Sequence, residues 1–218
     1  YQLRQPLRDG WRGIWSGRLD GARDSRSHPA TDWTHVWREL AVEWQPDARW
    51  VFDLGRINAQ YGEAIAFNPS DVLREGSLRS VTSVVPADLR TNRQGVVMAR
   101  MQYLWHDGST QVVVAPRIPG RSSATFSPDW EATNGRNRWL VAVSQKLGAE
   151  VTPQFMLTGG EDMSPLAAMN VSILPTTETV AYLEASVGRR GSTLSRIGLW
   201  PNDRSMRAQV AVGVTWNP

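Results

Sequence analysis

The sequence predicts an all-β protein, an antiparallel up-and-down transmembrane β-barrel of about ten strands, from three observations. Apolar and polar residues alternate with a period of two in run after run, and helical periodicity is almost absent. Short connections between runs alternate with long ones. Tryptophan, used 11 times against four each of Phe and Tyr, gathers near the ends of the runs. One domain over residues 1–218 accommodates all of this.

The runs justify the strands in order. Residues 11–19 set Trp11, Trp15 and Leu19 against Arg12, Ser16 and Arg18. Residues 35–45 set Leu40, Val42 and Trp44 against Glu39, Ala41 and Glu43, and residues 49–59 set Trp50, Phe52 and Leu54 against Asp53 and Gly55. In residues 93–105, Val97, Ala99, Met101, Tyr103 and Trp105 oppose Gln94, Arg100 and Gln102. Residues 110–118 set Val112, Val114 and Ile118 against Gln111 and Arg117. Residues 138–147 set Trp139, Val141, Val143 and Leu147 against Arg138, Ala142, Ser144 and Lys146. A weaker run at 153–158 carries Phe155 and Leu157. Residues 166–174 set Ala167, Met169, Val171 and Ile173 against Asn170 and Ser172. Residues 179–188 set Ala181, Leu183, Ala185 and Val187 against Tyr182, Glu184 and Ser186. Residues 206–216 set Ala208, Val210, Val212, Val214 and Trp216 against Arg207, Gln209, Gly213 and Thr215. Most runs match the ~9–11 residues with which a tilted strand crosses a bilayer.

Connections 46–48, 106–109, 148–152 and 175–178 are short, and Asp107-Gly108 carries a hairpin signature. Connections 20–34, 60–92, 119–137 and 189–205 are long; 159–165 alone is short on the long side. Outer-membrane barrels segregate turns and loops to opposite ends in this way. Trp11, Trp44, Trp50, Trp105 and Trp216 fall on the short-turn side, and Trp33, Trp37 and Trp139 at or near the other. Two aromatic girdles at the headgroup levels are expected from that distribution.

Composition excludes several classes. No stretch approaches the ~18 apolar residues of a membrane helix, whereas alternating strands are compatible with the mean hydropathy of −0.38. Cys is absent, which removes disulfides and thiol metal sites. Lys146 is the only lysine, so the basic residues are otherwise arginine. A net charge of +3, mixed evenly with acids, does not indicate nucleic acid. The opening residues 1–12 lack the apolar centre of a signal peptide, and the ending Trp216-Asn217-Pro218 lacks the final aromatic usual in such barrels. The expectation is a mature form or a fragment.

Residues Gly55-Arg56-Ile57-Asn58-Ala59-Gln60-Tyr61-Gly62-Glu63-Ala64, followed by Phe67-Asn68-Pro69-Ser70-Asp71, form a stretch that leaves a strand and enters a long loop. Here the chain resembles porin-like outer-membrane β-barrel proteins of Gram-negative bacteria, with Tyr61 where those proteins often carry Trp. The resemblance implies an outer-membrane location and the barrel architecture, and says little about a solute.

With the apolar faces toward lipid, the other faces line a lumen. They collect Arg12, Arg18, Arg100, Arg117, Arg138, Lys146 and Arg207 against Glu39, Glu43, Asp53 and Glu184. This reads as a mildly cationic, pore-lining set that favours anions; the same residues could instead pair across strands and fill a narrow barrel. Loop 60–92 is the candidate constriction, with Glu63, Asp71, Arg74 and Arg79 across the pore, against its alternative as a surface loop. Asn68 or Ser70 reads as the cap of a short helix there.

Catalysis is not expected. His28, His35 and His106 have no metal-ligand spacing, no Gly-x-Ser-x-Gly elbow occurs, and a pairing of His35 with Ser25 or Ser27 has no motif behind it. The expected function is a porin-like channel for small anionic or sugar-like solutes. Its partners are membrane lipid and a small-molecule solute, with neither nucleic acid nor cofactor. Two other classes compete: a structural or partner-binding outer-membrane barrel with adhesive loops, and a soluble carbohydrate-binding β-sandwich.

Overall fold

A computed structural model of the chain describes residues 2–23, 31–64, 67–73, 93–120, 130–148, 150–191 and 204–216. Eleven strands form one antiparallel sheet: β1 Gln2–Pro6, β2 Trp11–Arg23, β3 Thr31–Trp44, β4 Trp50–Ile57, β5 Val96–Trp105, β6 Gly108–Ala115, β7 Arg138–Gln145, β8 Val151–Gly160, β9 Met163–Thr176, β10 Thr179–Arg190 and β11 Ser205–Trp216. Their order in the sheet is their order in the chain. Each strand thus neighbours the next, the up-and-down arrangement expected. Among the described residues no pairing joins β11 to β1, and no α-helix occurs; the one helical element is a 3₁₀ turn, Trp130–Thr133.

The strand absent from the sequence reading is β1. It pairs with β2 over only five positions, from Gln2↔Ser16 to Pro6↔Arg12. The turn that follows carries its own signal: Asp9 and Gly10 both adopt left-handed backbone, φ 48° and 83°, and Trp11 N–H donates to the Arg8 carbonyl at 2.9 Å. Two left-handed residues make the primed turn that suits strand twist. Gly10 must also lack a side chain, since a Cβ there would lie 2.3 Å from the Gln45 carbonyl oxygen.

Several boundaries differ from expectation: β2 runs on to Arg23 and β3 begins at Thr31, so the connection expected at 20–34 shortens to 24–30, and β8 and β9 extend until only 161–162 remain of the connection expected at 159–165. β7 ends at Gln145, so Lys146 lies in an exposed turn, where its N–H donates to the Asp107 carbonyl at 2.6 Å. β6 ends at Ala115, which leaves Arg117 exposed beyond it. Trp37, expected near a strand end, lies inside β3 and stacks on Trp15 with ring centroids 5.4 Å apart. The Asp107-Gly108 turn is shifted by one residue: His106 and Asp107 turn, and Gly108 already belongs to β6.

By its contacts the chain groups into two units: residues 1–59, 73–101 and 115–136, and residues 60–72, 102–114 and 137–218. In the first, Trp11 stacks on Trp44 and Trp44 on Phe52, both at 5.5 Å, and Trp50 on Phe52 at 5.9 Å. These rings mark the short-turn ends of β2, β3 and β4. In the second, Trp105 at the end of β5 donates from Nε1 to Gln145 Oε1 at 2.9 Å.

The two faces of the strands differ in an unusual direction. In β7, Leu140 and Ala142 are buried while Trp139, Val141 and Val143 are exposed. In β8, Met156 and Thr158 are buried and Phe155 and Leu157 exposed. In β11, Val210, Val212, Val214 and Trp216 all stand more than half exposed. The buried side holds Ser16, Asp53, Arg138, Asn170, Glu184 and Ser186 together with apolar residues both large, such as Ile14, Met98 and Leu140, and small, such as Ala41 and Ala142. Water drives apolar surface out of contact with solvent, yet here rows of large apolar residues are exposed while Asp53, Arg56, Arg138 and Glu184 are buried.

Candidate functional site

The polar face is built by strand parity, and in the first unit its charges meet in pairs. Arg12 and Glu43 are register partners, and Arg12 Nη1 lies 3.1 Å from Glu43 Oε1. Arg100 Nε donates to Asp53 Oδ2 at 2.9 Å; the Asp53 side chain is fully buried and that of Arg100 one-fifth exposed. Glu39 Oε1 accepts the Asn58 N–H at 3.2 Å. Asn58 Oδ1 accepts from Arg93 Nε at 2.7 Å, and Arg93 Nη2 donates to the Ala59 carbonyl at 2.7 Å. The cross-strand pairing considered as an alternative to an open cationic lining is therefore present for Arg12 and Arg100.

Arg56 is a site residue that strict alternation assigns to the wrong side. Gly55 adopts φ +130°, a conformation L side chains rarely take, and a Cβ there would lie 2.3 Å from the Leu40 carbonyl oxygen. Beyond Gly55 the alternation breaks, and Arg56 becomes fully buried. Its Nη1 donates to the Trp37 carbonyl at 3.1 Å, and its guanidinium lies 5.2 Å from the Trp130 ring centroid. The Gly-Arg of the sequence stretch 55–71 is thus a device that turns an arginine inward.

In the second unit the rest of that stretch forms a strap on the polar face. Glu184, at the middle of β10, is fully buried. Its Oε1 accepts N–H groups from Glu63 at 2.5 Å and Ala64 at 2.6 Å, and its Oε2 accepts the Ser70 hydroxyl at 2.8 Å. Gly62 permits this approach: its φ is +70°, and a Cβ there would stand 2.3 Å from Ser70 Oγ and 2.4 Å from Glu184 Oε1. Asn68 ties the strap to itself. Its Oδ1 accepts N–H groups from Ser70 at 3.0 Å and Asp71 at 2.7 Å, and its Nδ2 donates to the Tyr61 and Ala64 carbonyls. Tyr61 anchors the near end, its hydroxyl bonded to Gln111 Oε1 of β6 at 3.1 Å. Asn68 is the cap, and among the described residues what it caps is a turn through Leu73; any continuation of the expected helix lies outside the described residues.

The predicted site residues therefore divide. Glu39, Glu43, Asp53, Arg100 and Glu184 lie on the polar face in the contacts above, and Arg12 joins them through Glu43. Arg18 and Arg207 are half-buried on their strands, and Arg207 Nε donates to the Arg190 carbonyl at 3.2 Å. Lys146 and Arg117 lie beyond strand ends. In the strap, Asp71 is buried and the Glu63 side chain is exposed although its N–H is held. Arg74 and Arg79 lie outside the described residues, as do His28, Ser25 and Ser27. His35 is buried edge-on to Trp37 at 4.6 Å, and His106 is exposed beside Asp107. Among the described residues no set of His, Asp and Glu gathers into a metal site. Residues missed from sequence were Gly62 and Arg56; for Gly62 the Tyr-Gly-Glu-Ala stretch was visible, whereas its close approach to β10 was not.

Gly62→Ala tests the strap's packing. The left-handed φ and the clash with Ser70 and Glu184 should cost about 1–3 kcal/mol, read in a denaturant refolding titration. A loss below the error of the titration would mean that the strap is not held as described.

The fold class is that of an all-β, antiparallel, up-and-down sheet with several charged groups, among them Asp53, Arg56, Arg138 and Glu184, on a buried face. Compared with known proteins, the chain matches no family model, no curated protein and no solved structure.

Proposed function

We propose that this sheet belongs to the wall of a transmembrane β-barrel of the Gram-negative outer membrane, acting as a porin-like channel for small anionic or sugar-like solutes. The observation that carries the reading is the inverted distribution of its faces: rows of exposed Val, Leu, Phe and Trp on one side, buried Arg, Asp, Glu and Asn on the other. In water such an exposed apolar surface is unfavourable; against hydrocarbon it is not. A bilayer in turn requires every backbone N–H and C=O to be paired, which demands closure of the sheet's edges. The alternation of connections supports the same reading. Those at 7–10, 45–49, 106–107, 146–150 and 177–178 are short, those at 58–95, 116–137 and 191–204 are long, and on the long side 24–30 is intermediate and 161–162 is the exception.

The charge argument for anions changes in detail. Lys146 and Arg117 leave the lining, and Arg12 and Arg100 are paired with acids. Arg56 joins the buried side, and Arg190 bonds there to Ser186 and Gln209. A basic excess persists, carried partly by residues other than those expected. A second reading, a filled structural barrel, is favoured by one observation: the strap covers Glu184 completely.

The protein should require detergent, migrate differently on gels with and without boiling, and conduct in a planar bilayer. Its reversal potential under a salt gradient should favour anions, less so as salt shortens the Debye length. A monodisperse monomer in detergent-free buffer would overturn the barrel. Cation preference would overturn the charge argument, and a silent bilayer would favour the filled barrel.

A further inference from the structure

Glu184 directs both carboxylate oxygens at the strap and at nothing else among the described residues. Its register neighbours are Asn170 on β9 and Ala211 on β11. Asn170 donates its amide instead to Gln154, at 2.9 Å. No ion pair among the described residues balances the buried charge. What holds the carboxylate is a set of three donors from one short segment, two consecutive backbone N–H groups and one hydroxyl, converging where Gly62 has no side chain to obstruct them. Consecutive backbone N–H groups beside a left-handed residue form an anion-binding concavity, and hydrogen bonds to an ionised acceptor are stronger than neutral ones.

We infer that Gly62, Glu63, Ala64 and Ser70 form a carboxylate-binding cradle, that Glu184 is its tethered occupant, and that this side chain ties the strap to β10 on the polar face. The ligand class follows from the donors: a small, planar, singly charged carboxylate with two acceptor oxygens. Tethering gives Glu184 an effective concentration that free carboxylates do not match, so the cradle of the wild type is filled from within. Removing the side chain empties the cradle for a free carboxylate of the same shape. Only the consequence for solute passage, that the strap narrows the route and widens when released, rests on the channel reading.

Because the chain has no native Cys, a single reporter is clean. Ala64→Cys places a thiol at a buried position beside the cradle and keeps the backbone N–H. The measurement is the rate at which a charged methanethiosulfonate reagent modifies that thiol in the folded, detergent-solubilised protein, with folding checked by circular dichroism. Adding Glu184→Ala should raise the rate about tenfold or more, as expected for loss of a charge-assisted cluster. Sodium formate should lower it again, and sodium chloride of equal ionic strength should not. Glu184→Gln keeps the shape and one acceptor; it should give an intermediate rate that formate does not change, and it carries the test if the alanine variant does not fold. An unchanged rate in the folded Glu184 variants, or equal effects of formate and chloride, would overturn the cradle. Bilayer conductance of the same variants separates the two readings. A rise in Glu184→Ala that formate reverses supports both. A silent bilayer with formate-sensitive labelling supports the cradle and counts against the channel.

Discussion

Val141→Arg should cost the folded protein about 2–4 kcal/mol in a bilayer, while Ser144→Arg costs far less. Val141 stands on the exposed face in the middle of β7, between the buried Leu140 and Ala142, with Leu157 of β8 opposite it. On the proposed orientation its surroundings are hydrocarbon, where a guanidinium has neither water nor an acid to meet. Ser144 belongs to the other face, and its hydroxyl bonds to that of Ser109 at 2.8 Å. Losing that bond costs about 1 kcal/mol, and the new cation remains among polar groups. Urea titrations of refolding into phospholipid vesicles compare the two directly. Equal losses would mean that the two faces do not meet different media, and a larger loss at Ser144 would reverse their assignment.

Asn134→Ala should be costly for a different reason, one that holds in lipid or detergent alike. Asn134 is fully buried and ties the connection between β6 and β7 to β5. Its Oδ1 accepts the Val97 N–H at 2.9 Å, and its Nδ2 donates to the carbonyls of Val97 at 2.7 Å and Pro116 at 2.8 Å. The amide thus does for Val97 what a paired strand would do. Alanine leaves three backbone groups without these partners; at ~1–3 kcal/mol for each buried group left unsatisfied, the loss should reach about 3 kcal/mol or more. Asn134→Asp is the sharper comparison. It keeps the size and the acceptor for Val97 N–H but turns a carboxylate oxygen toward two carbonyls, so it should destabilise at least as much. If aspartate is tolerated within ~0.5 kcal/mol in the titration, the hydrogen-bond assignment of Asn134 is wrong, because only surface-like positions accept such a change.

What the sequence by itself determined is the sheet and its sidedness. Side-chain direction in a strand depends on parity alone, so Val141, Leu157 and Val212 could be set on one face and Asp53, Asn170 and Glu184 on the other from local pattern. Connection lengths were only partly legible: 20–34 shortens to 24–30 and 159–165 to 161–162 as the strands extend by pairing. β1 was harder to read, since five residues ending in proline carry little alternation, although Asp9-Gly10 announced its turn. Tertiary structure decided everything that depends on breaking parity or on distance along the chain. One left-handed glycine, Gly55, was enough to turn Arg56 to the buried side. Asn68-Pro69-Ser70-Asp71 has local chemistry that suits a cap, and the structure shows Asn68 capping the N–H groups of Ser70 and Asp71. Parity placed Glu184 on the polar face, but its partners Glu63 and Ala64 lie 121 and 120 residues away in the chain. Three donors converge on that carboxylate only because the sheet brings β10 beneath a segment that leaves β4, and no local pattern encodes which segment will arrive there.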